Sequence, residues 1–171
     1  MNRFLTAAFG VVLLAACRSA PEADPEAFRA LGLLNASTEL DGVYCSGQPT
    51  EEQFEGLAAA GITKVIHLRA ADEQGTGWEE ARAREHGIEF VRLPITGPDD
   101  VNAANARALA EELDAARGTV LVSCSSSNRV GALLAMKARV VDGKSPEEAM
   151  AIGTRCGMKA LAPAVAEKLE D

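Results

Sequence analysis

The sequence predicts a three-layer α/β domain, with a mostly parallel central sheet and helices on both faces. Three observations carry that prediction. Short apolar runs at 43–45, 62–68, 88–93 and 119–122 alternate with helical segments, the pattern of a sheet wound with crossover helices. Helix start and stop signals recur between them, with Thr50 and Gln53, and Ser145 and Glu148, as capping boxes and Gly61, Gly87 and Gly143 as stops. Finally, TVLVSCSSSNRVG at 119–131 passes from a strand through a tight polar loop straight into an apolar helix.

Composition bounds the rest. At 171 residues and 47% hydrophobic, the chain has enough apolar side chain for one domain with its own core. Only 4% is aromatic, so Ala, Leu, Val and Ile must build that core. The net charge of −8, with no basic patch, excludes nucleic acid as the expected partner.

Residues 1–16 have the character of a leader. Arg3 gives a positive start, and the apolar run at 4–14 is too short to cross a bilayer as a helix. The following Leu14-Ala15-Ala16-Cys17 resembles a bacterial lipoprotein signal, which implies a mature chain starting at a lipidated Cys17. An ordinary secretory signal with an incidental cysteine is the alternative. Arg18 follows where an inner-membrane-retaining aspartate would stand, so the resemblance implies the outer membrane, with the domain facing the periplasm. Residues 17–37 are rich in Pro, Ala and Glu and predict a tether with a helical turn near Phe28. The domain is expected over 38–171.

Within it, 43–45 predicts a strand and Ser46-Gly47-Gln48-Pro49 a turn, before a capped helix carrying Phe54, Leu57 and Ala58. The strand at 62–68 ends in His67 and Arg69, at the edge where parallel sheets place ligands. His67 is expected to be a structural hydrogen-bonding residue. A helix at 78–86, a strand at 88–93 and the loop Ile95-Thr96-Gly97-Pro98-Asp99-Asp100 follow, leading to a long helix at 101–117. Past the central loop, helices are expected at 130–141, from Ser145 to about Arg155, and near 159–169.

The chemistry concentrates at 123–130. A strand, loop and helix in that order bring free backbone N–H groups and a helix N-terminus to one point, which suits an anion. Ser125, Ser126, Ser127, Asn128 and Val130 would supply the N–H groups. Cys124 faces that positive end and Arg129 closes the loop, so Cys124 is a candidate thiolate nucleophile and Arg129 a bidentate oxyanion clamp. The plain alternative is a buried structural cysteine beside a serine-rich turn. No zinc-type Cys/His pairing is present, and no metal or cofactor is expected.

SCSSSNRVGAL is similar to the His-Cys-x-Ser-Gly-Asn-Arg-Val-Gly-Ala-Leu signature of a bacterial family related to protein tyrosine phosphatases, the phosphatase-like domain of the β-lactamase hydrolase-like proteins. The resemblance continues upstream through VYCSGQPTEEQFEGLAAAGITKVIHLR. It implies a dual-specificity-phosphatase-like fold, in which Cys124 attacks phosphorus and Asp99 or Asp100 protonates the leaving oxygen. The alternative is that one of the two caps the helix that follows. Ser123 replaces the family's His, Ser127 its Gly, and His67 its Asn. The resemblance implies a phosphorylated small molecule or protein, or another oxyanion, as ligand. Two other readings stay open: a persulfide-forming sulfurtransferase or sulfur sensor, because Cys-x4-Arg is near the rhodanese loop in length, and a pseudophosphatase that binds an anion or partner without turnover. With Cys17 lipidated, Cys45, Cys124 and Cys156 remain, and Cys156, or else Cys45, is the candidate redox partner of Cys124.

Overall fold

The computed structural model describes residues 22–170, so the leader and Cys17 lie outside the described residues. Five strands form one sheet: β1 (Ser37–Leu40), β2 (Val43–Gly47), β3 (Ile62–His67), β4 (Glu89–Arg92) and β5 (Thr119–Cys124). Their order is β1-β2-β5-β3-β4, antiparallel between β1 and β2 and parallel elsewhere. Strand β5 is central, and all six of its residues are buried. A strand covered on both faces reads as a continuous apolar run, which is why Thr119 to Val122 is legible as sequence.

The two faces carry separate cores. Helices α1 (Pro25–Ala30), α2 (Glu51–Glu55) and α3 (Glu79–Glu85) contribute Phe28, Phe54 and Ala83 to a cluster with Tyr44, Val65 and Leu121. On the other face, α4 (Ala103–Asp114), α5 (Asn128–Val140), α6 (Pro146–Arg155) and α7 (Ala162–Glu170) pack over Cys45, Ile66, Val120 and Val122. Neighbouring strand residues go to opposite clusters, the period-two signature of a pleated sheet.

Helix α5 buries eight of its residues, as its nearly uniform apolar sequence predicts. It meets α6 at backbone distance. A Cβ on Gly131 would lie 2.3 Å from the Gly153 carbonyl, and one on Gly153 would lie 2.8 Å from the Gly131 carbonyl. This close crossing fixes α5 behind the loop that precedes it. Both capping boxes are present, at Thr50 with Gln53 and at Ser145 with Glu148.

The stretch expected as a tether differs from its prediction. From Ala23 onward it is packed, with Ala23, Phe28 and Leu33 buried. Asp24 caps α1 and Pro25 stands in its first turn, so the Pro- and Glu-rich composition encodes a helix start rather than a free linker. The Phe28 ring packs tilted against Tyr44, with ring centres 4.8 Å apart, and burying such a ring contributes roughly 2 kcal/mol. The Ala23 N–H donates to Thr119 Oγ1 at 3.1 Å, and the Tyr44 hydroxyl donates to the Ala23 carbonyl at 3.2 Å. The folded unit therefore begins by Ala23, well before residue 38.

Candidate active site

Strand β5 ends at Cys124, next to Gly47 of β2 in register, and the chain turns through Ser125, Ser126 and Ser127 into α5. Ser127 has φ 65°, the left-handed conformation that normally calls for glycine. The family signature has glycine at this position, and the serine keeps the backbone shape. Its hydroxyl donates to the Cys156 carbonyl at 2.9 Å, which holds the side chain inward. The facing residue is Gly157, where a Cβ would come within 2.6 Å of Ser127 Cβ. Gly131 is the first amide to close onto the loop, donating to the Ser127 carbonyl at 3.0 Å. The N–H groups of Asn128, Arg129 and Val130 precede it in the first turn, where a helix has no internal acceptors for them.

Arg129 reaches back across this loop. Its guanidinium donates to both Glu73 oxygens, at 2.8 and 3.0 Å, and to the Ile95 carbonyl at 2.8 Å. Glu73 also accepts from Arg69 Nε at 2.8 Å and from the Ala70 N–H at 2.9 Å. With two guanidiniums around it, Arg129 first, the Glu73 carboxyl is held down at about 2. Arg129 is in turn held more firmly charged, chiefly by Glu73 and further by Cys124. The structure thus brings Cys124 and Arg129 together at the two ends of the loop. Cys124 itself is only 1% exposed.

The two aspartates separate. Asp100 accepts from the Thr96 N–H at 2.7 Å and the Thr96 hydroxyl at 2.6 Å, which keeps its carboxyl below the ordinary range. That makes Asp100 a poor proton donor near neutral pH. Asp99 is exposed on the short 3-10 turn Pro98–Asp100. Neither caps the long helix. Asn102 does, accepting from the Asn105 N–H at 3.0 Å, so α4 begins at Ala103 rather than at residue 101.

His67 and Ser123 face each other in register, and His67 Nδ1 lies 2.8 Å from Ser123 Oγ. Both are buried, and burial pushes the His67 imidazole down to about 4. Glu79, itself 1% exposed, sits 3.5 Å from His67 Nε2 and pairs with Arg92 at 3.1 Å. Glu79 favours the charged ring, but burial outweighs it and keeps His67 neutral, a structural partner of Ser123.

Cys45, Cys124 and Cys156 are free and buried. The neighbouring Cys156 thiol and burial push the Cys45 thiol well up.

The chain is 32% identical over 113 residues to a β-lactamase hydrolase-like protein of Xylella fastidiosa, an alignment covering 63% of this chain. The chain spans about a quarter of that relative's length, 26%. No family model matches the chain. Among solved structures, P. aeruginosa TpbA superposes with TM-score 0.62 at 22% identity, covering 89% of this chain and 91% of TpbA. A cysteine-to-serine variant of TpbA in complex with pTyr gives TM-score 0.62 at 21% identity, over 90% and 89% of the two chains. Tk-PTP in its active form gives 0.61 at 19% identity, over 80% and 96%. The fold is that of the tyrosine-phosphatase-like proteins. Its five-stranded, mostly parallel sheet places the Cys124 loop at the carboxyl end of the central strand, the position this class of sheet reserves for ligands.

Sequence reasoning missed Glu73, which organises both Arg69 and Arg129. It sits in a polar, glycine-containing loop where one acidic residue looks like surface. The usable signal was an acid four residues after Arg69, beyond the carboxyl end of a parallel strand.

Proposed function

We propose that the protein is a cysteine-dependent phosphatase acting on a phosphorylated small molecule or protein. The observation that carries this reading is the loop from Cys124 to Arg129, with Ser127 left-handed and the guanidinium locked by Glu73 at its mouth. Such a loop directs N–H groups and one fixed cation at a tetrahedral anion. In the first step the Cys124 thiolate forms a bond to phosphorus as the ester P–O bond breaks. Asp99 gives its proton to the departing oxygen. Water then attacks the thiophosphoryl group, passing a proton back to Asp99 and releasing inorganic phosphate with the thiolate restored. Arg129 and the amides of residues 125–130 hold the equatorial oxygens throughout. The pTyr complex of TpbA lends support to a phosphorylated ligand on this fold.

The envelope location belongs to the same proposal. Cys17 would carry the lipid and tie the domain to the outer membrane, facing the periplasm. Six peptide units separate Cys17 from the anchored Ala23, a reach of at most about 20 Å. Ala23 docks on Thr119, at the opposite end of β5 from Cys124. A domain held there would turn its loop away from the anchoring bilayer. Incubation with p-nitrophenyl phosphate and, separately, with thiosulfate and cyanide tests the chemistry. Aryl phosphate hydrolysis lost in Cys124→Ser supports it, whereas sulfur transfer without hydrolysis replaces it with the rhodanese-like reading.

A further inference from the structure

We infer that Lys168 is a positioning residue for Asp99, clamping the turn that carries this aspartate so that its carboxyl is in place before a substrate arrives. The inference rests on the phosphatase reading above, in which Asp99 protonates the departing oxygen. Lys168 is half-buried in the last turn of α7. A surface lysine normally keeps its head in water and its rotamers free. This one instead donates to two backbone carbonyls, Pro98 at 2.5 Å and Val101 at 3.0 Å.

Those two carbonyls flank Asp99 and Asp100. The carbonyls between them are held as well, that of Asp99 by Asn102 Nδ2 at 2.9 Å and that of Asp100 by Asn105 Nδ2 at 2.7 Å. The asparagine ties are local, whereas Lys168 reaches the turn from 70 and 67 residues away. The segment is also fixed where it begins. The Ile95 N–H donates to the Leu68 carbonyl at 2.9 Å, and the Ile95 carbonyl accepts from Arg129 at 2.8 Å. Lys168 is itself anchored, because its neighbour Leu169 is fully buried and the Leu169 carbonyl accepts from Arg139 Nε at 2.9 Å. Arg129 and Arg139 both belong to α5. The helix behind the Cys124 loop therefore holds the segment at both ends, directly at Ile95 and through α7 at Val101.

The two carboxylates of the turn are left in different states. Asp100 is spent on Thr96, and the Lys168 charge adds to those bonds in keeping it ionised. The Asp99 carboxyl is exposed and takes part in no hydrogen bond among the described residues. The backbone is thus pinned while one side chain remains available to a leaving oxygen. A general acid must stand within hydrogen-bond reach of the atom it protonates, and a misplacement of about 1 Å can cost on the order of a hundredfold in rate.

The test compares phenyl phosphate, whose leaving oxygen needs a proton, with 2,4-dinitrophenyl phosphate, whose leaving oxygen departs as a stable anion. Values of kcat/KM report the steps up to P–O cleavage. Asp99→Asn should lose about a hundredfold on phenyl phosphate and far less on the dinitrophenyl ester. Lys168→Met keeps the stem and removes the donors. It should lose about tenfold on phenyl phosphate and about twofold or less on the dinitrophenyl ester, and Lys168→Arg should recover most of the loss. The ratio of the two esters on one sample does not depend on the fraction folded, so lost stability alone leaves it unchanged. Equal losses on both esters in Lys168→Met, or no loss on either, overturn the role of Lys168 while the phosphatase reading stands. A wild-type ester ratio in Asp99→Asn overturns Asp99 as the proton donor and Lys168 with it. Hydrolysis of neither ester by the wild type overturns the phosphatase reading as well.

Discussion

Glu73 and Arg129 meet as a two-pronged ion pair, with N–H···O distances of 2.8 and 3.0 Å, although 56 residues separate them in sequence. The pair holds the plane of the guanidinium beside the loop that carries Cys124. Two parallel bonds fix an orientation that one bond would leave free to swing. Their side chains are 28% and 16% exposed, so solvent weakens the attraction without removing it. Glu73→Gln should therefore cost about 1–2 kcal/mol of stability in urea unfolding. It should also lower kcat on an aryl phosphate about tenfold or more, because Arg129 loses its fixed direction.

The same pair has a pH signature. The Glu73 carboxyl lies at about 2 in the folded protein against 4.5 as the ordinary value, so the folded state binds its proton less readily. The pair's contribution is complete above about pH 4.5 and is lost as pH falls through about 2. Urea unfolding of wild type and Glu73→Gln from pH 7 downward should show a constant difference that starts to shrink only below pH 4.5. A difference that disappears between pH 7 and 5 would contradict the assignment.

His67 predicts a separate loss at milder acidity. Its imidazole lies at about 4 when folded against 6.5 ordinarily, because burial disfavours the cation. The unfolded chain takes up that proton first, so stability falls as pH drops from 6.5 towards 4. His67→Asn should flatten this part of the stability profile and leave the part below it in place. NMR titration of the His67 ring checks the same point directly, with the neutral ring persisting at pH 5.5.

Ser127 is a balance of two opposed effects. Glycine there would relieve a left-handed serine, worth about 1 kcal/mol, but would remove the 2.9 Å hydrogen bond to the Cys156 carbonyl, worth about as much. Glycine at 127 is thus not expected to stabilise this chain, and Ser127→Gly should melt within a few degrees of wild type. Ser127→Ala loses the bond and keeps the strain, so it should cost about 1–2 kcal/mol. Gly157→Ala should cost at least as much, since its Cβ would press within 2.6 Å of Ser127 Cβ at a φ of 92°.

The envelope proposal is tested by fractionation. Wild type should sediment with outer membranes and carry acyl chains on Cys17, and Cys17→Ala should not. A wild-type chain recovered soluble, with a free N-terminus, would remove the anchor and leave the fold untouched.

Much of the fold was legible because its signals are local. The buried run of β5, the apolar circumference of α5 and the two capping boxes each lie within about a dozen residues. Cys124 and Arg129 were legible for the same reason, as the two ends of one contiguous loop. What escaped depends on distance in sequence. Strand β1 is a half-buried edge of four residues, with no apolar run to mark it. The docking of 22–37 depends on Thr119 and Tyr44, which its own composition does not reveal. Glu73 acquires its role only when β3 and β5 pair, and the helix cap went to Asn102 because Asp100 turns back to Thr96.

The central claim is that Cys124 bonds to phosphorus, and acid quenching during turnover of an aryl phosphate addresses it without intermediaries. Peptide mass spectrometry of the quenched protein should find one phosphoryl group, on the peptide containing Cys124, and none in Cys124→Ser. Continued turnover with Cys124 unmodified, or with an added sulfur atom there in place of the phosphoryl group, would contradict the account.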